Sequence, residues 1–271
     1  MTVCVWTPTC RFGGLDVTVA SIKRQHRRDL VWIVGDELYQ QRFDIVTKHA
    51  PCDVLAFDTA RIREKTGMPR SLSAANNEAL RIARALGARM LVCLNDYVWA
   101  PPDGIDQFLR LADRYPRSLI TGLCSISEDP GPDLIVDPEG LYTIFAKPYT
   151  ARPRRIGWRD CRLENLSGVM TTGPVAWEGN WAAIPQATLQ DPRVGWDEEY
   201  DRGHYYDNQA LALGALRAGY PTVIDCTNHS ISLPHKQYFP EQQAELERLN
   251  NRAFHEAKVG RAGLEQAMTG R

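Results

Sequence analysis

The first half of the chain alternates short apolar runs with amphipathic stretches, and this alternation restricts the fold more than any other feature. Continuously apolar runs are typical of buried parallel strands, and they lie at Val3–Trp6, Leu30–Val34, Asp53–Phe57, Met90–Leu94 and Ser118–Leu123. The stretches between them have helical spacing, and they lie at Leu15–Arg27, Leu38–His49, Ser71–Leu86 and Asp103–Tyr115. Strands that alternate with helices pair in parallel and carry helices on both faces. We therefore predict an α/β fold with a mostly parallel, Rossmann-like central sheet.

The second half of the chain is organised differently. Residues Glu128–Pro153 are rich in Pro, Gly and Asp, which predicts loops around a short hairpin at Leu141–Ala146. A helix is predicted at Tyr206–Arg217, a strand at Thr222–Asp225 and a polar helix at Pro240–Lys258. The last dozen residues are expected to form a tail. Because no repeat or low-complexity linker divides the chain, we predict one domain over residues 1–240, followed by a helix and tail at 241–271.

Charge and composition narrow the classes of function. The 271 residues carry 32 Lys and Arg against 33 Asp and Glu, a net charge of −1. Nucleic acid is therefore not an expected partner, although it is not excluded, because phosphate neutralisation usually needs a strongly basic balance. No apolar run approaches the roughly 20 residues that span a bilayer, and the N-terminus lacks the zones of a signal peptide. Seven scattered cysteines form no CxxC pair, so we expect a cytoplasmic protein.

Polar residues follow the predicted strands at the edge where their carboxyl ends meet, which is where parallel sheets bind ligands. Thr7-Pro8-Thr9, Asp36 and Asn95-Asp96-Tyr97 follow the first, second and fourth strands, and Arg70 and Asn76 lie at the start of the long helix. An Asp can accept hydrogen bonds from the imide of a base, and an Arg can bind phosphate. An acidic residue after the fourth strand could hold a divalent cation together with a diphosphate.

The order of these motifs resembles that of the family 2 glycosyltransferases, which have the GT-A fold. The family pattern has a strand ending in P-T, an Asp after the second strand, a small-residue helix with an Asn, and then D-x-D before P-x-P-D. Here that last piece reads LNDYVWAPPDGI. The later family motifs match WEGNWAA at 177–183, GWDEEY at 195–200, Asp207 at the head of a helix, and His229. The resemblance extends from about Val3 to His235.

The resemblance implies a role for each matching residue. The donor, a nucleoside-diphosphate sugar with UDP favoured, would be bound by Thr7, Pro8, Thr9, Asp36, Arg70, Asn76, Asn95 and Asp96, with Asp36 facing the base. The acceptor would be bordered by Gly179, Asn180, Trp181, Asp197 and Glu198. Asp207 would be the general base of an inverting displacement on an acceptor hydroxyl. Residues 1–125 would form the nucleotide-sugar-binding half and residues 126–240 the acceptor-binding half. The acceptor could be a soluble glycan, a protein, a small molecule or a modified nucleic-acid base.

One motif departs from the family pattern. When the chain is aligned on the PPD at 101–103, the two aspartates of D-x-D become Asn95 and Tyr97, and only Asp96 is acidic. Tyrosine is a poor ligand for Mg²⁺ or Mn²⁺. Three outcomes stay open: Asp96 holds the cation, with His229 able to complete the site; Arg side chains replace the cation; or catalysis is lost. A Mn²⁺ or Mg²⁺ cofactor is expected under the first.

Two other functions and several ordinary structural roles are alternatives. The altered motif would suit a catalytically silent protein that binds a nucleotide sugar or a glycan. A sugar-nucleotide pyrophosphorylase would need a glycine-rich, Arg-containing loop directly after the first strand. Asp36 could merely cap a helix, and Asp207 could merely complement a helix dipole. Four tryptophans of the second half suit either core packing or a sugar-binding wall, namely Trp158, Trp177, Trp181 and Trp196.

Overall fold

The computed structural model describes residues 2–10, 14–127, 156–203, 206–233 and 241–269. The strands in these residues are β1 (Val3–Thr9), β2 (Leu30–Asp36), β3 (Asp53–Asp58), β4 (Met90–Leu94), β5 (Val98–Trp99), β6 (Leu119–Ser127), β7 (Ile156–Trp158), β8 (Val169–Thr172), β9 (Trp181–Pro185) and β10 (Thr222–Ser232). The helices are α1 (Leu15–Lys23), α2 (Tyr39–His49), α3 (Thr59–Thr66), α4 (Leu72–Ala85), α5 (Gly104–Arg114), α6 (Gln186–Leu189), α7 (Asp207–Arg217) and α8 (Glu241–Thr269).

The described strands form one mixed sheet in the order β3-β2-β1-β4-β9-β6-β10-β5, with β7 paired to β6 and β8 paired to β10. Strands β3, β2, β1, β4, β6 and β10 run in the same direction, and β9 lies antiparallel between β4 and β6. The α/β fold with a mostly parallel sheet is therefore confirmed. Thr9, Asp36 and Asp58 are register partners at the carboxyl edge, so the loops beyond them open on one side of the molecule.

Helices cover both faces of the sheet because its central strands are apolar on both sides. Residues of α1, α2 and α5 pack on one face, where Trp32 and Phe108 are fully buried. Residues of α4, α6 and α7 pack on the other face around Trp6 and Trp177. Burial on both faces explains the continuously apolar runs that predicted the sheet. In the described parts of the chain, none of the helices combines the length and the apolar content needed to cross a bilayer.

Three differences between the structure and the sequence prediction are the largest. Helix α3 was not predicted because its sequence TARIREKT is polar; Asp58 caps its N-terminus by accepting hydrogen bonds from two backbone N–H groups, and Gly67 ends it at φ 67°. The strand predicted to end at Asp225 continues to Ser232. Where a tail was expected, the helical backbone continues beyond Gly260, which itself leaves the helical conformation at φ 72°. The hairpin predicted at Leu141–Ala146 lies outside the described residues.

Candidate functional site

A cleft of about 200 Å³ opens at the carboxyl edge of the sheet. It brings together predicted site residues that are distant in sequence, namely Pro8, Thr9, Arg70, Asn95, Asp96 and Asp207. Tyr200, Asp201 and Gly203 complete one wall. We call this the first cleft. The lining shows that the two acidic residues given chemical roles by the sequence, Asp96 and Asp207, face the same space.

A buried chain of hydrogen bonds supports Asp96. The Thr9 hydroxyl donates to Asp96 Oδ2 at 2.9 Å and accepts from Arg42 Nη2 at 3.2 Å. Because the guanidinium group can only donate, the Thr9 proton is directed toward the Asp96 carboxylate. Arg42 also binds Asp36 through its Nε and through Nη2, the latter at 2.7 Å. Arg42 is 1% exposed and Asp36 is 2% exposed, so the pair is shielded from water.

Asp36 lies behind the first cleft and is not among its lining residues. Besides Arg42, its carboxylate accepts the backbone N–H of Leu38 at 2.7 Å, just before helix α2 begins. The structure therefore gives Asp36 an ion-pairing and turn-stabilising position. Its predicted contact with the base stays a prediction.

Thr7 and Asn76 are also behind the lining of the first cleft. The Thr7 hydroxyl donates to the Leu94 carbonyl at 2.8 Å and accepts from Trp32 Nε1 at 3.0 Å. Asn76 Oδ1 accepts from Trp6 Nε1 at 2.7 Å. Both side chains are buried, and they tie strand β1 to its neighbours and to helix α4. Their predicted roles in donor binding stay predictions as well.

Arg70 lines the first cleft and is held there by helix α8. Its Nη2 donates to both carboxylate oxygens of Glu247, at 2.8 and 2.7 Å. The same helix holds Tyr200, whose hydroxyl is hydrogen-bonded to His255 Nδ1, and Asn251 donates to the Tyr200 carbonyl at 3.1 Å. The C-terminal helix thus supports one wall of the cleft, a contribution that its polar sequence did not predict.

Asp207 is the first residue of helix α7 and is partly buried. Burial is the largest influence on its carboxyl group and raises the pKa to about 6, while the backbone N–H groups of Asp207 and Asn208 act in the opposite direction. A carboxyl with a pKa of about 6 is ionised at neutral pH and still basic enough to accept a proton efficiently. The group therefore has the protonation behaviour that a general base requires.

Strained backbone adjoins both acidic residues. Within the described ranges, the non-glycine residues with positive φ are Tyr97, at 64°, directly after Asp96, and Tyr206, at 69°, directly before Asp207. Such conformations are uncommon for tyrosine and cluster at functional sites. The ring of Tyr97 is buried against Trp99 and other apolar side chains, and Tyr97 is not among the residues that line the clefts.

A second cleft, of about 470 Å³, meets the first at Asn95 and Asp96, which line both. Its other polar and charged lining residues include Asp160, Arg162, Glu178, Asn180 and Ser232. Of the residues predicted to bind the acceptor, Asn180 lines this second cleft. Because the two clefts share Asn95 and Asp96, molecules bound in each would meet at Asp96.

The other predicted acceptor residues lie outside the lining of both clefts. Gly179 is buried, and a Cβ there would lie 3.0 Å from Asn208 Oδ1. Trp181 is buried and donates to Asn228 Oδ1 at 2.8 Å. Asp197 forms an ion pair with Lys258, and Glu198 accepts from Asn77 Nδ2 at 2.9 Å.

The tryptophans of the second half are mainly core residues in the structure. Trp177, Trp181 and Trp196 are at most 5% exposed, and Trp177 packs edge-on against Trp196 with their ring centroids 5.9 Å apart. The side chain of Trp158 lies outside the described residues. Core packing therefore accounts for three of the four rings that could have formed a sugar-binding wall.

Glu178 is the centre of an amide network that sequence reasoning missed. Its Oε1 accepts from Asn180 Nδ2 at 3.2 Å and from Asn208 Nδ2 at 3.5 Å. Asn180 Oδ1 in turn accepts from Asn95 Nδ2 at 2.6 Å, so the network joins the loop after β4 to the start of α7. Burial, the largest influence, raises the pKa of Glu178 to about 7; the charge of Asp207 raises it further, and Arg162 opposes both.

The residues at the clefts fit a divalent cation only in part. No group of three or more His, Cys, Asp or Glu side chains that could hold a metal occurs in the described part of the chain. His229 lies within β10, with its Nε2 2.7 Å from Ser125 Oγ, and it does not line the clefts. A site with one carboxylate, Asp96, fits a cation that takes its remaining ligands from a diphosphate and water, as Mg²⁺ commonly does. Cation binding through Asp96 and His229 stays a prediction.

The fold and the carboxyl-edge clefts define an α/β protein of the type that binds ligands beyond the ends of its parallel strands. Comparisons with protein-family models and with curated proteins find no match. Solved structures of S. aureus TarS are similar: the TarS structure has a TM-score of 0.51 at 13% identity and covers 86% of this chain and 37% of that chain.

Two further TarS structures, of its residues 1–349, are also similar. The complex with UDP has a TM-score of 0.50 at 12% identity, covering 86% of this chain and 61% of that chain. The complex with UDP-GlcNAc has a TM-score of 0.53 at 11% identity, covering 88% and 60%. The chain therefore has the GT-A fold, and it spans less than two thirds of the length of these structures.

Proposed function

We propose that the protein is an inverting glycosyltransferase that moves a sugar from a nucleoside-diphosphate sugar, with UDP favoured, to an acceptor hydroxyl. The observation that carries this proposal is that Asp96 and Asp207 line one cleft at the carboxyl edge of a GT-A sheet. The similar TarS structures hold UDP and UDP-GlcNAc, which supports uridine as the base. The acceptor hydroxyl would enter from the second cleft and meet the donor near Asp96.

In the proposed reaction, the acceptor oxygen attacks the anomeric carbon while the bond from that carbon to the diphosphate oxygen breaks. Asp207 takes the proton from the acceptor hydroxyl, and the diphosphate leaves with the electrons of the broken bond. Attack opposite the leaving group inverts the anomeric configuration. A divalent cation, when bound, would supply charge neutralisation to the leaving diphosphate, and Asp96 is the residue that would hold it. Thr9 and Arg42 keep the Asp96 carboxylate oriented.

A panel of UDP-, GDP- and dTDP-sugars, each with and without Mn²⁺, tests the donor by thermal stabilisation. We expect UDP-sugars to raise the Tm and Mn²⁺ to increase the effect. Asp207→Asn should keep nucleotide binding and lose at least about a hundredfold in transfer. Asp113→Asn, an exposed change on α5, is the matched control and should transfer normally. Unchanged transfer by Asp207→Asn would remove Asp207 from the mechanism.

The altered motif favours one second candidate function. Asn95 and Tyr97 stand where the resemblance implies aspartates, which would suit a protein that binds a nucleotide sugar or a glycan without turnover. Hydrolysis of UDP-sugars with and without Mn²⁺ separates the two. A protein that is stabilised by UDP-sugars but neither hydrolyses nor transfers them would be the silent binder.

A further inference from the structure

The second cleft carries more negative than positive charge. In the described residues its charged lining side chains are the carboxylates Asp96, Asp160 and Glu178 and the guanidinium of Arg162. The sequence between β6 and β7, residues 128–155, holds five Asp or Glu and four Lys or Arg, which gives 4 − 5 = −1. By composition, that segment has no net positive charge.

The guanidinium of Arg162 already forms hydrogen bonds within the protein. Arg162 binds Asp160 through Nε at 2.9 Å and Nη2 at 2.6 Å, and its Nη1 donates to the Ala176 carbonyl at 2.7 Å. Asp160, which is 2% exposed, also accepts the backbone N–H of Cys124 at 3.0 Å. The two charges cancel within the wall of the cleft. Arg162 is thus poorly placed to receive an anionic group from a bound molecule.

Glu178 has a different setting, because its hydrogen-bond donors are neutral amides. The Asn180 and Asn208 side chains orient the carboxylate but do not neutralise it. Its position beside Asn180 places it near the end of the cleft that is shared with the first cleft. Ile126 and Val175 also line the cleft, and at 42% and 44% exposed they offer apolar surface. A lining that combines amide and carboxylate groups with aliphatic groups suits a ring that carries both hydroxyls and C–H faces.

We propose that the second cleft binds an uncharged polyhydroxylated acceptor, such as a neutral glycoside, and that Glu178 is a specificity residue that excludes acceptors carrying a phosphate or carboxylate beside the acceptor hydroxyl. This inference rests on the proposed function, which it deepens by naming the acceptor class. An anionic acceptor would bring like charges together in a partly desolvated cleft, where the repulsion is much stronger than in water.

The test compares neutral acceptors with their phosphorylated counterparts. Methyl glucoside, methyl galactoside and methyl N-acetylglucosaminide are each paired with the 1-phosphate and the 6-phosphate of the same sugar, so that one of the two phosphates leaves the acceptor hydroxyl intact. Assays use the wild-type chain and a UDP-sugar at pH 8, where Glu178 is ionised because its pKa is about 7. We expect kcat/KM for a neutral acceptor to exceed that for its phosphates by about tenfold or more.

Glu178→Gln keeps the shape and a hydrogen-bond acceptor but removes the charge, so the preference should shrink at least about threefold. Glu245→Gln, an exposed residue of α8, removes the same charge away from the cleft and should leave the preference unchanged. If Glu178→Gln does not fold, raising NaCl to 0.5 M should weaken the wild-type preference, because salt screens charge repulsion. Where transfer is slow, inhibition of UDP-sugar hydrolysis by the same compounds measures their binding to the second cleft.

The inference would be overturned if phosphorylated acceptors were used as well as neutral ones. It would also be overturned if the preference for neutral acceptors were unchanged both in Glu178→Gln and at high salt. Failure of the proposed function looks different: no UDP-sugar would be hydrolysed or transferred, whatever acceptor is added. A protein that hydrolyses UDP-sugars but prefers anionic acceptors would retain the proposed function and refute the acceptor class.

Discussion

The buried pair of Arg42 and Asp36 supports the carboxylate of Asp96, and its removal is the most informative perturbation. Arg42→Met replaces the guanidinium side chain with a shorter, unbranched apolar one and leaves the Asp36 carboxylate in a site where it is 2% exposed. Breaking one partner of a buried ion pair typically costs about 3–5 kcal/mol. The remaining N–H of Leu38, at 2.7 Å from Asp36 Oδ1, favours the lower end, so we expect a loss of about 3 kcal/mol.

Urea unfolding followed by tryptophan fluorescence measures this loss. With a slope of about 3 kcal/mol per molar urea, the midpoint should fall by about 1 M. The double variant Asp36→Asn/Arg42→Met removes both charges and should be more stable than Arg42→Met alone, because no buried charge is left uncompensated. Arg42→Met should also weaken nucleotide binding, since Thr9 loses the donor that directs its proton toward Asp96.

Two results would refute this reasoning. A loss below about 1 kcal/mol for Arg42→Met would mean that the carboxylate finds water or another partner. A double variant less stable than Arg42→Met would mean that the two residues contribute independently rather than as a pair.

Three further predictions concern catalysis, packing and capping. The pKa of Asp207 is about 6, and a general base must be ionised to accept a proton. We therefore expect kcat/KM to fall about tenfold per pH unit below pH 6 and to level off above it. A flat pH profile of kcat/KM between pH 5 and 7 would contradict this role of Asp207. Gly122→Ala would place a Cβ 2.5 Å from the Asn228 carbonyl oxygen and should cost about 1–3 kcal/mol in urea unfolding, whereas Gly214→Ala, with open space around it in α7, should stabilise by about 0.5–1 kcal/mol. Asp201→Ala removes the carboxylate that accepts two backbone N–H groups at the start of α4 and should cost about 1–2 kcal/mol; an unchanged midpoint would show that water replaces the cap.

The sequence predicted the sheet because its central strands are buried on both faces and leave a continuous apolar signal. It placed the end of β1 too early because Thr7 interrupts that signal. In the structure the Thr7 hydroxyl is satisfied by the Leu94 carbonyl and by Trp32, so the strand runs on to Thr9. Such cross-strand partners depend on the strand order, which a single sequence does not contain.

The same limit applies to the candidate site. The carboxyl-edge rule placed Thr9 and Asp96 near one cleft because it depends only on strand direction, whereas the role of Asp207 came from the family resemblance. The pairing of Asp36 with Arg42 depends on which face of α2 packs against the sheet. The sequence of a polar helix does not indicate that face clearly. The one sequence hint was that Arg42 follows Asp36 by six residues, near the start of α2. Glu178 directly precedes the Gly179-Asn180 motif, and this position was the sequence signal for it. Its significance becomes clear only from the amide network in the structure.

Tyr97 and Tyr206 hold strained backbone directly beside Asp96 and Asp207. Each left-handed tyrosine costs about 1–3 kcal/mol, and a glycine at either position would remove that cost. The same glycine would loosen the peptide that aims a neighbouring carboxylate into the cleft. A glycine would also delete the Tyr97 ring, which is buried against Trp99, and the Tyr206 ring, which stacks on His255. Losing a buried aromatic ring costs about 3–5 kcal/mol, so stability as well as turnover should keep the tyrosine at position 97.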